Sequence, residues 1–151
     1  MSKEFEIYHG IALARIIHYE KVREISLYST KANSSYIINE KVGIFIKYSA
    51  KRMSPWIFTF KKEHQDEIYE MKQLLNEVFI VLVCGEDGVS CLDFNELKQI
   101  LDHEHKDTEW VSVRRRPRQM YHVSGSDGEL EFKVADRDFP RRLFSSLKSK
   151  V

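Results

Sequence analysis

The sequence predicts a single α/β (α+β) domain. A mixed central sheet flanked by helices follows an αβββαβ-like order, with antiparallel strands added at the C-terminal end. Three observations predict it. Val78 to Cys84 (VFIVLVC) is continuously apolar, as in a central strand covered on both faces. Ile7 to Tyr19 and Lys61 to Glu77 carry apolar residues at helical spacing. Between them, Ser34 to Phe60 alternates strand-like apolar runs with Lys47, Lys51 and Arg52, and Lys61 and Lys62 follow at once.

The elements follow in order. The first helix buries Ile7, Ile11, Leu13, Ala14, Ile16 and Ile17, although Gly10 weakens it. Glu24 to Ser29 alternates as a short strand. Ser35–Asn39 and Val42–Tyr48 flank Asn39-Glu40-Lys41, which suits a tight hairpin. A basic loop, Lys51 to Ser54, ends at Pro55, and Trp56 to Phe60 forms the next strand with Trp56, Phe58 and Phe60 on one side. The second helix carries a stripe of Ile68, Met71, Leu74 and Leu75. After Val78–Cys84, the turn Gly85-Glu86-Asp87-Gly88 sends the chain back through Val89–Leu92. Asp93 or Asn95 caps a helix running to about Asp102. Trp110–Val113, Met120–Val123 and Leu130–Val134 read as strands, the last two joined by Ser124 to Gly128. Residues 1–109 thus form the core, and 110–151 a hairpin extension with a basic tail from Arg141 to Lys150.

Composition narrows the function only a little. The chain has 151 residues, and 24 Lys plus Arg against 23 Asp plus Glu leave a net charge of +1, so any electrostatic role rests on clustering. Cys84 and Cys91 lie in apolar runs and read as small buried residues, too few for a disulfide framework. The N-terminus is not a signal peptide and the apolar runs are far short of a membrane span, so a cytoplasmic protein without a membrane partner is expected. There is no G-x-S-x-G, P-loop or G-x-G-x-x-G pattern.

The order helix, strand, strand, strand, helix, strand, together with Phe45-Ile46-Lys47, resembles the PD-(D/E)XK restriction-endonuclease-like superfamily. The resemblance covers the first half to two thirds of the chain. It implies an acid on one strand and an acid-x-Lys triplet on the next. The carboxylates would hold one or two divalent metals, and the lysine would help position the nucleophile. Lys47 matches the triplet's lysine, but Phe45 stands where the acid would be. Asn39 or Glu40 lies near the first acid's place. Aligning Thr59-Phe60-Lys61 instead supplies a lysine and again no acid. The expectation is a degenerate metal site, hence no cofactor. Magnesium or manganese enters only if Glu40, Glu86 or Asp87 supply displaced carboxylates.

The leading expectation is therefore a module that binds the phosphate backbone of DNA or RNA. Its candidate residues are Lys47, Lys51, Arg52, Trp56 and Lys61, with Arg114, Arg115, Arg116 and Arg118 from the densest basic run. Strand alternation separates Arg115 from Arg114 and Arg116. The alternative partner is a protein, or a second copy of the chain, meeting the arginine-rich face. Asp102-His103-Glu104-His105 reads as a solvated helix end, because its histidines are two apart rather than three or four. His9 and His18, on the first helix within reach of the sheet, read as partly buried polar spacers.

Overall fold

The computed structural model describes residues 2–145. Helix α1 (Lys3–Ile17) is followed by β1 (Ile25–Leu27), β2 (Ser35–Ile38), β3 (Val42–Ser49) and β4 (Trp56–Lys61). Then come α2 (Lys62–Leu74), β5 (Glu77–Cys84), β6 (Gly88–Asp93) and α3 (Phe94–Ile100). Strands β7 (Thr108–Arg114), β8 (His122–Gly125) and β9 (Gly128–Glu129) precede a 3₁₀ turn and the short helix α4 (Arg142–Ser145). No helix among the described residues is long and apolar enough to cross a membrane. The part of the basic tail beyond Ser145 lies outside the described residues.

Two sheets share the core. The first is mixed, in the order β1-β2-β3-β5-β6, with β3 and β5 parallel and the other pairs antiparallel. Strand β5 is its central, fully covered member: Val78 to Cys84 are all buried, as the continuous apolar run requires. On one face lie α1 and the C-terminal segment, with Ala12, Ile16, Phe139 and Leu143 packed on Ile44, Ile46, Val81 and Val83. On the other lie α2, α3 and the second sheet, whose Trp56, Phe58, Phe60, Val111 and Val113 meet Phe45, Ile80 and Leu82. Full burial of each such side chain contributes about 1.5–3 kcal/mol.

The β2–β3 hairpin forms as expected. Asn39 and Glu40 hold φ of 52° and 61°, the left-handed pair a two-residue turn demands. Asn39 also accepts from the Arg23 and Glu24 N–H groups at 2.8 and 3.2 Å and donates to the Lys21 carbonyl at 2.9 Å. It is a turn residue that fixes β1, not a degenerate metal ligand. Asp93 caps α3 through the Glu96 N–H at 2.7 Å, with Glu96 reaching back to the Asp93 N–H at 2.9 Å.

The second sheet, in the order β4-β7-β8-β9, differs from expectation. Strand β4 does not continue the first sheet. It pairs antiparallel with β7, with Trp56 opposite Val113 and Lys61 opposite Thr108. The residues from 110 onward are therefore laid directly on the core. Leu130–Val134 is not a full strand: only Gly128–Glu129 pair with β8, and Val134 makes a single bridge to Tyr121. The helices also bury narrower stripes than predicted. In α1 the sheet receives His9, Ala12 and Ile16, leaving Ile7 44% and Ile17 60% exposed. In α2 it receives Gln65, Ile68 and Met71, and Leu74 is 70% exposed. Full burial is confined to positions three or four apart, while flanking residues such as Ile11 and Leu13 pack only partly against the core.

Candidate functional site

The nine basic and aromatic candidates do not form one surface. Strand β4 divides them, with Trp56 at one end and Lys61 at the other, roughly 17 Å apart along a strand of this length.

At the Lys61 end, Lys47 projects from β3 toward β4 and α2. Its ammonium lies 5.3 Å from the centre of the Phe60 ring and donates to His64 Nδ1 at 3.4 Å. The same nitrogen accepts from the Lys61 N–H at 3.1 Å, which fixes the neutral ring. Burial, then the neighbouring Lys61 charge, lowers Lys47 to about 8. Burial, then Lys47, lowers His64 to about 4. The adjacent cavity, about 430 Å³, is lined by Lys31 and Lys61 but equally by Glu63, Asp66, Glu67 and Glu70. Glu67 accepts from the buried Ser35 hydroxyl. This region is electrostatically mixed and suits a polyanion poorly, which removes Lys47 and Lys61 from the expected binding cluster.

At the Trp56 end, the loops predicted to be basic converge. The Ser54 hydroxyl accepts from the Arg115 N–H at 3.1 Å, docking the loop after β3 against the loop after β7. Beside this junction opens a cavity of about 400 Å³ lined by Ser54, Arg114, Arg115, Arg116, Gln119, Met120, His122 and Lys133. Every charged residue in that lining is cationic. Arg114, Arg116 and Lys133 are exposed, and none of the ion pairs among the described residues involves them. A second cavity of about 310 Å³, sharing Arg115, Gln119 and Met120, adds Arg118 and Arg137 together with Asp136, which pairs with Arg15. Lys51 and Arg52 are exposed on the docked loop, where the Lys51 ammonium donates to the Pro55 carbonyl at 3.0 Å.

Two of the candidates are structural. Trp56 is 2% exposed and donates its indole N–H to the Lys51 carbonyl at 2.8 Å, so it anchors the basic loop and cannot stack on a base. Arg115 turns inward, as alternation requires. Its guanidinium pairs with Asp87 at 2.7 Å and lies 4.3 Å from the centre of the Tyr121 ring. Tyr121 donates to the same carboxylate at 2.8 Å. Two of the later arginines are occupied: Arg142 meets Asp93 and Glu96, and Arg141 meets Asp138. Lys133 and His122 were missed because neither sits in a basic run, and His122 is brought in by pairing with Arg114.

No set of displaced carboxylates forms where the metal alternative needs one. Glu40 lies in the turn before β3, whereas Glu86 and Asp87 follow the far end of β5, which runs parallel to β3. Asp102, Glu109 and Asp127 do gather, each offering an oxygen within 4.8 Å of the others. Gln65 donates to Glu109 at 2.9 Å, and burial is the main cause that raises the Glu109 carboxyl above the ordinary range. His105 joins none of this; it bonds Asp66 at 2.7 Å. His9 packs on Tyr36, with Nδ1 2.9 Å from its hydroxyl, while His18 is exposed at the helix end and does not reach the sheet. Both cysteines are buried free thiols, and burial pushes Cys91 up to about 12.

Comparison with family models, curated proteins and solved structures finds no match for this chain.

Proposed function

We propose that the protein is a nucleic-acid-binding module that grips phosphates in the cationic cleft at the Trp56 end of the second sheet and does not cleave them. The observation that carries this reading is the cleft's lining, in which Arg114, Arg116, His122 and Lys133 face one cavity with no carboxylate among them. Guanidinium groups present planar pairs of donors matched to phosphate oxygens, and unpaired ones are free to do so. Binding without cleavage is favoured because Lys47 has no carboxylate beside it and Glu40, Glu86 and Asp87 lie at opposite strand ends.

Fluorescence anisotropy of labelled oligonucleotides across a salt series tests it. Each phosphate contact contributes about 0.7 (single strand) to 0.9 (duplex) to the slope of log affinity against log salt. Replacing Arg114, Arg116 and Lys133 together by alanine is expected to reduce that slope by about 2–3. Added manganese should yield no cleavage products. An unchanged slope in the triple variant, or no binding at low salt, rules the reading out. In the second case an acidic protein surface becomes the better occupant of the cleft.

A further inference from the structure

The second sheet has one face in the core and one face bare. Alternation turns Trp56, Phe58, Phe60, Val111 and Val113 inward, where all are buried. It turns Ile57, Thr59, Trp110, Ser112 and Arg114 outward. The register sets Thr59 beside Trp110, Ile57 beside Ser112 and Arg114 beside His122. Among the described residues no helix or strand covers this face, and Trp110 is 45% and Ile57 52% exposed. A large aromatic left half in water on a flat sheet is a surface awaiting a flat apolar partner.

The charge on that face narrows the partner. The outward positions of β4 and β7 carry no acid, and Arg114 stands at the cleft end of β7. Glu129, on the outer face of β9, lies 3.3 Å from His122. Arg114 belongs both to this face and to the cationic cleft. It stands four residues from Trp110 on the same side of one strand, about 13 Å away.

We propose that this face stacks unpaired bases on Trp110 while the adjoining phosphates enter the cleft, so that the ligand is single-stranded nucleic acid. The proposal rests on the phosphate-binding reading of the cleft and adds the form of the ligand. In a duplex the base faces are hidden by stacking and cannot reach Trp110. In a single strand they are free, and any base offers a π-face, so the recognition is indifferent to sequence. Ile57 extends the apolar platform beside the indole.

The two tryptophans make the test direct. Trp56 is sealed in the core, so quenching of protein emission by a ligand reports Trp110. Unpaired oligothymidylate and oligouridylate are expected to quench the emission and to bind more tightly than a duplex of equal length. Trp110→Ala should weaken single-strand binding roughly tenfold or more and leave duplex binding unchanged, while Trp110→Phe keeps most of the affinity. Circular dichroism of both variants should match the parent, because the replaced side chain lies outside the core. Equal affinity for both forms with unquenched emission, or unchanged single-strand binding in Trp110→Ala, overturns the proposal while leaving the cleft intact. If neither form binds at low salt, the cleft reading fails and this proposal falls with it.

Discussion

Arg115 and Arg116 are neighbours in the densest basic run of the chain, yet the structure gives them opposite roles, and alanine substitution separates them. Arg115 is 18% exposed at its side chain. It pairs with the Asp87 carboxylate at 2.7 Å and donates to the Asp87 and Gln119 carbonyls at 3.2 and 3.1 Å. It also covers the Tyr121 ring. Hydrogen bonds involving a charge are worth about 1.5–3 kcal/mol, and a partly desolvated cation over a ring about 1–2. Asp87 is 32% exposed and regains water when the arginine goes, so the full penalty of a stranded buried charge does not apply. The net cost of Arg115→Ala is about 3 kcal/mol, which in a domain of this size lowers Tm by roughly 6–12 °C. Arg115→Lys should recover only part of it, since one ammonium cannot reproduce the guanidinium fork. Arg116, exposed and unpaired, should cost under about 0.5 kcal/mol but reduce the salt slope of binding. Thermal unfolding by circular dichroism reads both. Equal Tm values for Arg115→Ala and Arg116→Ala would refute the division.

Two further outcomes follow from buried groups. His9 is 3% exposed and burial lowers its pKa from 6.5 to about 4. As pH falls through 6.5 the unfolded chain takes a proton that the folded ring refuses, so stability drops until about pH 4, by up to roughly 3 kcal/mol. Half-exposed His64 adds a smaller effect of the same sign. Urea titrations between these limits should show a flatter pH dependence for His9→Gln than for the parent, and equal slopes would exclude His9 as the cause. Gly85 has φ of 54°, and a Cβ there would stand 2.5 Å from the Lys51 carbonyl oxygen. Gly85→Ala should cost roughly 1–3 kcal/mol and push the basic loop off its seat, weakening oligonucleotide binding as well as lowering Tm; an unchanged Tm would show that the close approach is not needed.

What was legible in the sequence was whatever depends on local pattern. Val78–Cys84 declared itself the central strand because no solvent-facing position interrupts it. Asn39-Glu40-Lys41 declared a hairpin because it is a short polar break between two β-rich runs. The destination of β4 was not legible: alternating burial says which side of Trp56–Phe60 is apolar, and it does so equally for either sheet. Only Trp110–Val113, fifty residues on, offers the edge it takes. The helix stripes were overread for a related reason, since an apolar residue at helical spacing does not reveal how wide the contact with a flat sheet is.

The diversion of β4 is also what builds the candidate site. Had Trp56–Phe60 continued the first sheet, Lys51 and Lys61 would flank one edge beside Lys47, as a nuclease-like arrangement implies. Paired with β7 instead, the strand carries its Lys61 end into a patch crowded with α2 carboxylates and its Trp56 end against the arginine loop. Trp56 then holds the Lys51 carbonyl and Ser54 holds the Arg115 N–H, so two basic loops, with Ser54 and Arg115 separated by 61 residues, are locked side by side. In that arrangement Arg115 turns inward to Asp87, and Arg114 and Arg116 project without partners. The unpaired cations of the cleft are thus a consequence of which sheet β4 joins, and a substitution that loosens Trp56 should dissolve the cleft without touching an arginine.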